Sequence, residues 1–263
     1  MRATLTLFVV SAAAGCRGVD PAPEDLDGQF HWFWDNAVGA DDAPVHDAIS
    51  AMRAAVELAG TDDVLRGSVT DLQPEQVEGY IAPGQSVDEA AGFFLVTHFP
   101  CTIAGLEPVL IERDQASQYL DIYDRYERVY TSDADAYLAR SVPDLWWDID
   151  LTATLLGATY DEVMSGGVRY LPADGDRPPA IVQRTWLLEP ADFEDSSSKT
   201  FEQDYQLEVY VEVEPGTVMH AYATWREINL GLGFTQDDDV VINTTLNNLE
   251  DWDERTSELC QQR

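Results

Sequence analysis

Basic side chains are scarce in this 263-residue chain. Lys+Arg amounts to 15 against 49 Asp+Glu, a formal charge of −34, and Lys199 is the single lysine. A body this acidic repels phosphate, which excludes nucleic acid as a partner and excludes docking through a polybasic membrane patch. Catalytic signatures are missing as well. There is no Gly-x-Ser-x-Gly elbow, no His-Glu-x-x-His helix and no Walker A loop. Gly231-Leu-Gly233 lacks the third glycine of a dinucleotide fingerprint. His31, His46, His98 and His220 stand singly, and carboxylates are too numerous for their presence to single out an acid/base pair. The sequence therefore assigns no catalytic residue, no cofactor and no metal ligand. Calcium loops of the EF-hand kind need glycine at their sixth place. The windows opening at Asp25, Asp133, Asp174 and Asp237 carry Phe30, Leu138, Pro179 and Ile242 there. The Asp237-Asp238-Asp239 run is left as either a looser cation site or a solvated turn.

What is present begins at the N-terminus. The chain is 45% apolar and 10% aromatic, with seven Trp, so its acidity does not imply disorder. Met1-Arg2 precedes a stretch from Ala3 to Ala14 that is apolar apart from two Thr and one Ser. It is shorter than the roughly 20 residues a membrane span needs, and reads as the apolar core of a signal peptide over residues 1–15. The segment ends Ala13-Ala14-Gly15-Cys16, which resembles the lipobox of bacterial lipoproteins, with Ala13 where Leu is commonest. The resemblance implies acylation of Cys16, palmitate among the chains, and attachment to a membrane through them. Arg17, rather than Asp, at the next position implies an outer-membrane destination in the bacterial envelope. An ordinary secretory signal is the alternative. Residues 16–28 then form the lipidated cysteine and a polar tether, and residues 29–263 a single α+β domain.

Export also gives the cysteines a use. With Cys16 acylated, Cys101 and Cys260 remain as one even pair in an oxidising compartment, where a bridge closes nearly the whole domain. Two buried thiols are the other reading.

Periodicity outlines the domain. A helix is expected over 44–59, where Pro44 suits the first turn, Gly60 stops it, and Val45, Ile49, Met52, Val56 and Ala59 form one stripe. Further helices are expected over 102–113, with Pro108 as a break, and over 133–140 behind Ser132. Alternation predicts strands at 145–155 and 201–213, the latter with Phe201, Tyr205, Leu207, Val209, Val211 and Val213 inward and its acidic partners in solvent. Pro215-Gly216 turns the chain into a strand at 217–229. Strands are also read at 66–72, 92–99, 158–171 and 179–188, with Gly166-Gly167 as bulge or hairpin turn; 119–131 is ambiguous. A last helix is capped by Thr244 or Thr245 and lined by Leu246, Leu249, Trp252, Thr256 and Leu259.

A curved antiparallel meander closed by one long C-terminal helix resembles, in element order alone, START/Bet v 1-like helix-grip domains. That resemblance implies a cavity between sheet and helix. Ala153, Ala221 and Ala223, with Trp225, are read as facing a ligand there, although the last helix lying on the small residues, or tryptophans filling the space, would serve as well. Two functional classes follow. One is a lipid-anchored, non-enzymatic binding or structural domain holding a small apolar or amphipathic molecule or an envelope protein partner. The other is an envelope hydrolase assembled only in three dimensions, for which a hydroxyl or carboxylate beside a histidine in a cleft is the mark.

Overall fold

Among the described residues, five α-helices pack around one antiparallel sheet of nine strands. The computed structural model describes residues 19–263 apart from 61–63, 83, 121, 156, 195, 232–234 and 237. Cys16, the signal segment and the start of the tether lie outside the described residues. The helices are α1 (Leu26–Asn36), α2 (Asp42–Ala59), α3 (Ile103–Leu110), α4 (Ala134–Leu138) and α5 (Asp239–Gln261). The strands are β1 (Leu65–Val69), β2 (Ala91–Pro100), β3 (Tyr123–Tyr130), β4 (Asp144–Leu155), β5 (Ala158–Leu171), β6 (Ala180–Leu187), β7 (Ala191–Phe193), β8 (Ser196–Glu214) and β9 (Thr217–Asn229). They are ordered β1-β2-β9-β8-β6-β5-β4-β3, with the short β7 pairing β5 and β8. The α+β class, the meander and the long closing helix are those expected.

Along most of β8 the sheet is covered on both faces, which corrects the expectation of a half-solvated strand at 201–213. On one face, Leu207, Val209 and Val211 of β8 meet Phe30, Phe33 and Trp34 of α1 and Val45, Ile49 and Met52 of α2 in one core. On the other, Asp204 and Glu208 of β8 are themselves buried and Gln206 is half-buried, because β3, β4 and β5 bring the far end of the sheet round and α3 and α5 complete the enclosure. A polar face turned toward an internal cavity has the same period as one turned toward water.

Helix α1 occupies residues expected to be tether and packed segment. Asp25 caps it, its carboxylate accepting from Gly28 N at 2.8 Å, and Asp27 accepts from Thr70 N at 2.6 Å. Its negative end is met by two buried arginines. Arg169 Nη1 donates to Ala37 O at 2.8 Å, and Arg184 Nη1 donates to Trp34 O.

Three further local expectations are corrected. Gly166 and Gly167 sit inside a continuous β5, paired with Trp147 and Trp146. A Cβ on Gly167 would lie 2.5 Å from the Trp146 ring, so glycine here makes room for an aromatic side chain and marks no turn. Helix α4 is capped by Asp133, whose carboxylate accepts from Ala136 N at 3.0 Å, while Ser132 Oγ accepts instead from Trp146 N. Helix α5 begins at Asp239 with Asp238 as its first flanking residue, so these two acidic residues open the helix, Asp237 lying outside the described residues, and Thr244 donates to Val240 O from within. Acidic side chains at a helix N-terminus complement its partial positive charge. Among the described residues no cluster of three metal-ligating side chains is found.

Cys101 and Cys260 are bridged, with Cα atoms 5.7 Å apart and a separation of 159 positions in sequence. The bridge fastens the start of α3 to the end of α5. The rest of α5 is held to the sheet by Leu246 against Phe93 and Leu95 of β2, and by Ser257 Oγ, which donates to Pro100 O at 2.9 Å.

Candidate functional site: the cavity beneath the last helix

Between the curled sheet and α5 lies a cavity of about 310 Å³. Strand β4 supplies Leu151, Ala153 and Leu155, and β5 adds Tyr160, Glu162 and Met164. Tyr123 and Tyr126 close one side; α5 lowers Thr245, Asn248, Leu249 and Trp252 onto it. The exposed Thr154, Asn248 and Asp251 stand at its rim.

The floor is polar, and strand register explains why. Inward positions on β6, β8 and β9 pair as Thr185↔Gln206 and Gln183↔Glu208, then Glu208↔Tyr222 and Asp204↔Arg226. Each row of pairs therefore sets hydrogen-bonding groups side by side on one face. Gln183 Nε2 donates to Glu208 Oε1 at 2.7 Å, and Tyr210 Oη donates to Glu208 Oε2. Asp204 accepts from Arg226 Nη2 at 2.6 Å, Gln206 Nε2 at 2.8 Å and Thr224 Oγ1 at 2.9 Å.

A histidine links floor to helix. His220 Nδ1 lies 2.8 Å from Asp253 Oδ1 of α5, and Thr97 Oγ1 donates to the second Asp253 oxygen. His220 Nε2 lies 3.6 Å from Glu208 Oε2, an ion-pair contact beyond hydrogen-bond reach, and the ring stacks on Tyr210 at 4.2 Å. Burial alone would lower the imidazole pKa, but Asp253 and Glu208 outweigh it and raise it to about 9. Burial would likewise raise Glu208, and the imidazolium and the Tyr210 hydroxyl outweigh that, leaving it below its ordinary value. His220 is thus a buried cation between two carboxylates.

Several polar atoms facing this space have no hydrogen-bond partner: Glu162 Oε1, Gln183 Oε1, Thr245 Oγ1 and Arg226 Nε. Their residues are all at least nine-tenths buried. Native interiors leave few such groups, and each costs on the order of 1–3 kcal/mol unless something completes it. Glu162 is the extreme case. Burial, reinforced by the nearby Asp204 charge, raises its pKa to about 8 despite the Arg226 guanidinium.

Of the residues read from sequence as facing a ligand, Ala153 lines the cavity. Ala221, Ala223 and Trp225 do not. They occupy the opposite face of β9, in the core shared with α1 and α2, where Trp225 Nε1 donates to Thr70 O at 2.7 Å and its ring stands 5.9 Å from that of Trp34. Their neighbours His220, Tyr222 and Arg226 point into the cavity instead. A strand's faces alternate, so choosing the small residues as inward inverted the whole strand. The small side chains face the two N-terminal helices. The long polar ones, read as solvated, form the site.

No protein-family model and no curated protein matches the chain. Solved structures similar to it include a START superfamily protein from Mycobacterium smegmatis, at 12% identity over 65% of this chain and 97% of that one, with a TM-score of 0.45. A STAR-related lipid transfer protein from Xanthomonas axonopodis aligns at 13% identity over 76% and 94%, TM-score 0.44. The lipid transfer and protein localization domain of human StarD13 aligns at 6% identity over 81% and 94%, TM-score 0.42. The likeness is one of overall fold, as read from element order. At these scores the functional reading rests on the cavity itself.

Proposed function

We propose that this chain is an exported, lipid-anchored, non-enzymatic binding protein of the bacterial envelope that holds one small amphipathic molecule between its sheet and α5. The observation that carries the binding role is the cavity's two-sided lining. Leu151, Ala153 and Met164 offer an apolar wall opposite buried polar atoms that lack partners. Ligand sites are commonly apolar spaces of this size with a few convergent polar groups. Acylation of Cys16, motivated by the Ala14-Gly15-Cys16 ending, would place the cavity beside a membrane.

One feature favours the hydrolase alternative, the carboxylate beside a histidine in a cleft. Against it, His220 is held as a cation at neutral pH and has no lone pair to act as a base. No hydroxyl or thiol among the described residues hydrogen-bonds to either ring nitrogen.

The test is native mass spectrometry of the purified full chain, followed by solvent extraction. Supporting results are a bound small molecule, one per chain, that is lost when Ala153 is replaced by Phe. A chain of unliganded mass that also binds no amphiphile added to it would overturn the reading. Anchoring is tested separately by Cys16→Ala and fractionation, where unchanged cleavage and membrane attachment would refute the lipid anchor.

A further inference from the structure

Most charged groups lining the cavity have a partner. Arg226 is matched by Asp204 at 2.6 Å, and His220 by Asp253 and Glu208. Arg128 donates to Leu110 O and to Tyr126 Oη at 3.2 Å, and lies 4.5 Å from the centre of the Trp147 ring. Asp251 stands exposed at the rim. Glu162 is different. It is 4% exposed, its Oε1 has no donor, and among the described residues none forms an ion pair with it. A buried carboxyl without a donor is completed by a ligand that brings one.

The surroundings narrow what that ligand is. Tyr160 occupies the next inward position on β5, Leu151 is the register partner of Glu162 on β4, and Tyr123, Tyr126, Tyr222 and Trp252 complete an aromatic lining. Aromatic rings around a single carboxyl suit an organic cation, which ring faces attract and which an anionic oxygen neutralises. An anion is disfavoured. Arg226 Nε also lacks a partner, but the charge of that guanidinium is already matched, and a protein of formal charge −34 repels anions while concentrating cations at its openings.

Resting on the reading of this cavity as a ligand site, we propose that its ligand is an amphipathic amine, with the ammonium group against Glu162 and the hydrocarbon body along Leu151, Ala153 and the surrounding rings. At neutral pH the empty site holds Glu162 as the carboxylic acid. Binding of an ammonium ion breaks its O–H bond, releases that proton to solvent and leaves a carboxylate–ammonium pair.

Titration calorimetry of the full chain with octylamine, octanol and octanoate tests this, in 1 M NaCl, where screening over about 3 Å suppresses attraction to the acidic surface. Octylamine is expected to bind at least tenfold more tightly than either analogue. At pH 7, repeating the octylamine titration in buffers of different ionisation enthalpy should show release of close to one proton, and octanol none. Glu162→Gln should remove the preference for the amine over octanol. Octanol or octanoate binding as tightly as the amine, amine binding without proton release, or a preference that survives Glu162→Gln would each overturn the amine while leaving the cavity as a ligand site. No binding of any of the three would overturn both.

Discussion

His220 on β9 and Asp253 on α5 meet at 2.8 Å across the end of the cavity, joining the sheet to the helix that covers it. The pair does for the middle of α5 what the disulfide does for its C-terminus. Because Asp253 also accepts from Thr97 on β2, one carboxylate fastens the helix to two adjacent strands. The cavity is therefore roofed by an element held at separated points. Its shape should survive the absence of a ligand.

Replacing Asp253 with Asn removes one member of a buried pair and leaves an imidazole facing Glu208 alone. Such losses typically cost about 3–5 kcal/mol, because the remaining charge stays desolvated. For a domain of this size, the midpoint of thermal unfolding should fall by roughly 6–20 °C. Titration of the His220 ring by NMR should place its pKa below the wild-type value of about 9. An unchanged midpoint and an unchanged ring pKa would mean that the contact is incidental.

Stability should decline as pH rises from 5 to 9. Glu162 is held neutral in the fold, with a pKa raised from 4.5 to about 8, by burial and by Asp204 against the opposing pull of Arg226. Tyr160 is the other titratable group that feels its charge. Between those values the unfolded chain loses a proton that the folded chain keeps, so stability falls with pH across that window and levels off above 8. His220, raised from 6.5 to about 9, adds stability that is complete below 6.5 and is lost as pH climbs through 9. Both effects run in the same direction. Glu162→Gln should abolish the decline between pH 5 and 6.5, roughly halve its slope between 6.5 and 8, and leave the His220 decline that levels off above 9, in denaturant titrations read by tryptophan fluorescence.

Strand periods were legible in the sequence where burial was one-sided. Leu145, Trp147, Ile149, Leu151 and Ala153 of β4 are buried on one side and alternate with Asp148, Asp150 and Thr152, and the pattern gave both the strand and its inward face. In β8 the same pattern gave the strand but misplaced the water. Asp204, Gln206 and Glu208 look like solvent-facing residues, and only the curl of the sheet turns them inward. Helix α1 was missed for a related reason. Phe30, Trp32, Phe33 and Trp34 are all buried, so no amphipathic stripe appears at helical spacing. Export chemistry brought Cys101 and Cys260 together. No local signal singled out Glu162, because the charges that act on it, Asp204 and Arg226, come from β8 and β9, more than forty residues away.

The bridge between Cys101 and Cys260 should contribute up to about 5 kcal/mol by restricting the unfolded chain. Alkylation of native protein without reductant, followed by intact-mass measurement, should label neither cysteine. After reduction, or in Cys101→Ser, α5 should be the first element to exchange its amide hydrogens, since one of its fastenings is gone. Uniform acceleration across the whole fold, with no lead for α5, would argue that the bridge acts on global stability alone.

Two alanines on opposite faces of the sheet offer the sharpest check on the site's position. Ala221 lies in the core beneath α1 and α2, whereas Ala153 lines the cavity. Ala221→Leu inserts three carbons where packing is complete, which should cost about 1–3 kcal/mol while leaving affinity for an added amphiphile unchanged. Ala153→Leu extends instead into open space. It should leave the unfolding midpoint nearly unchanged, or raise it slightly, and weaken binding by at least tenfold, because the added volume occupies the ligand's place. Measured side by side by calorimetry and thermal melts, the two variants should separate stability from binding. If Ala221→Leu weakened binding and Ala153→Leu did not, the ligand would lie on the face covered by the N-terminal helices, and the cavity beneath α5 would be no more than a gap in packing.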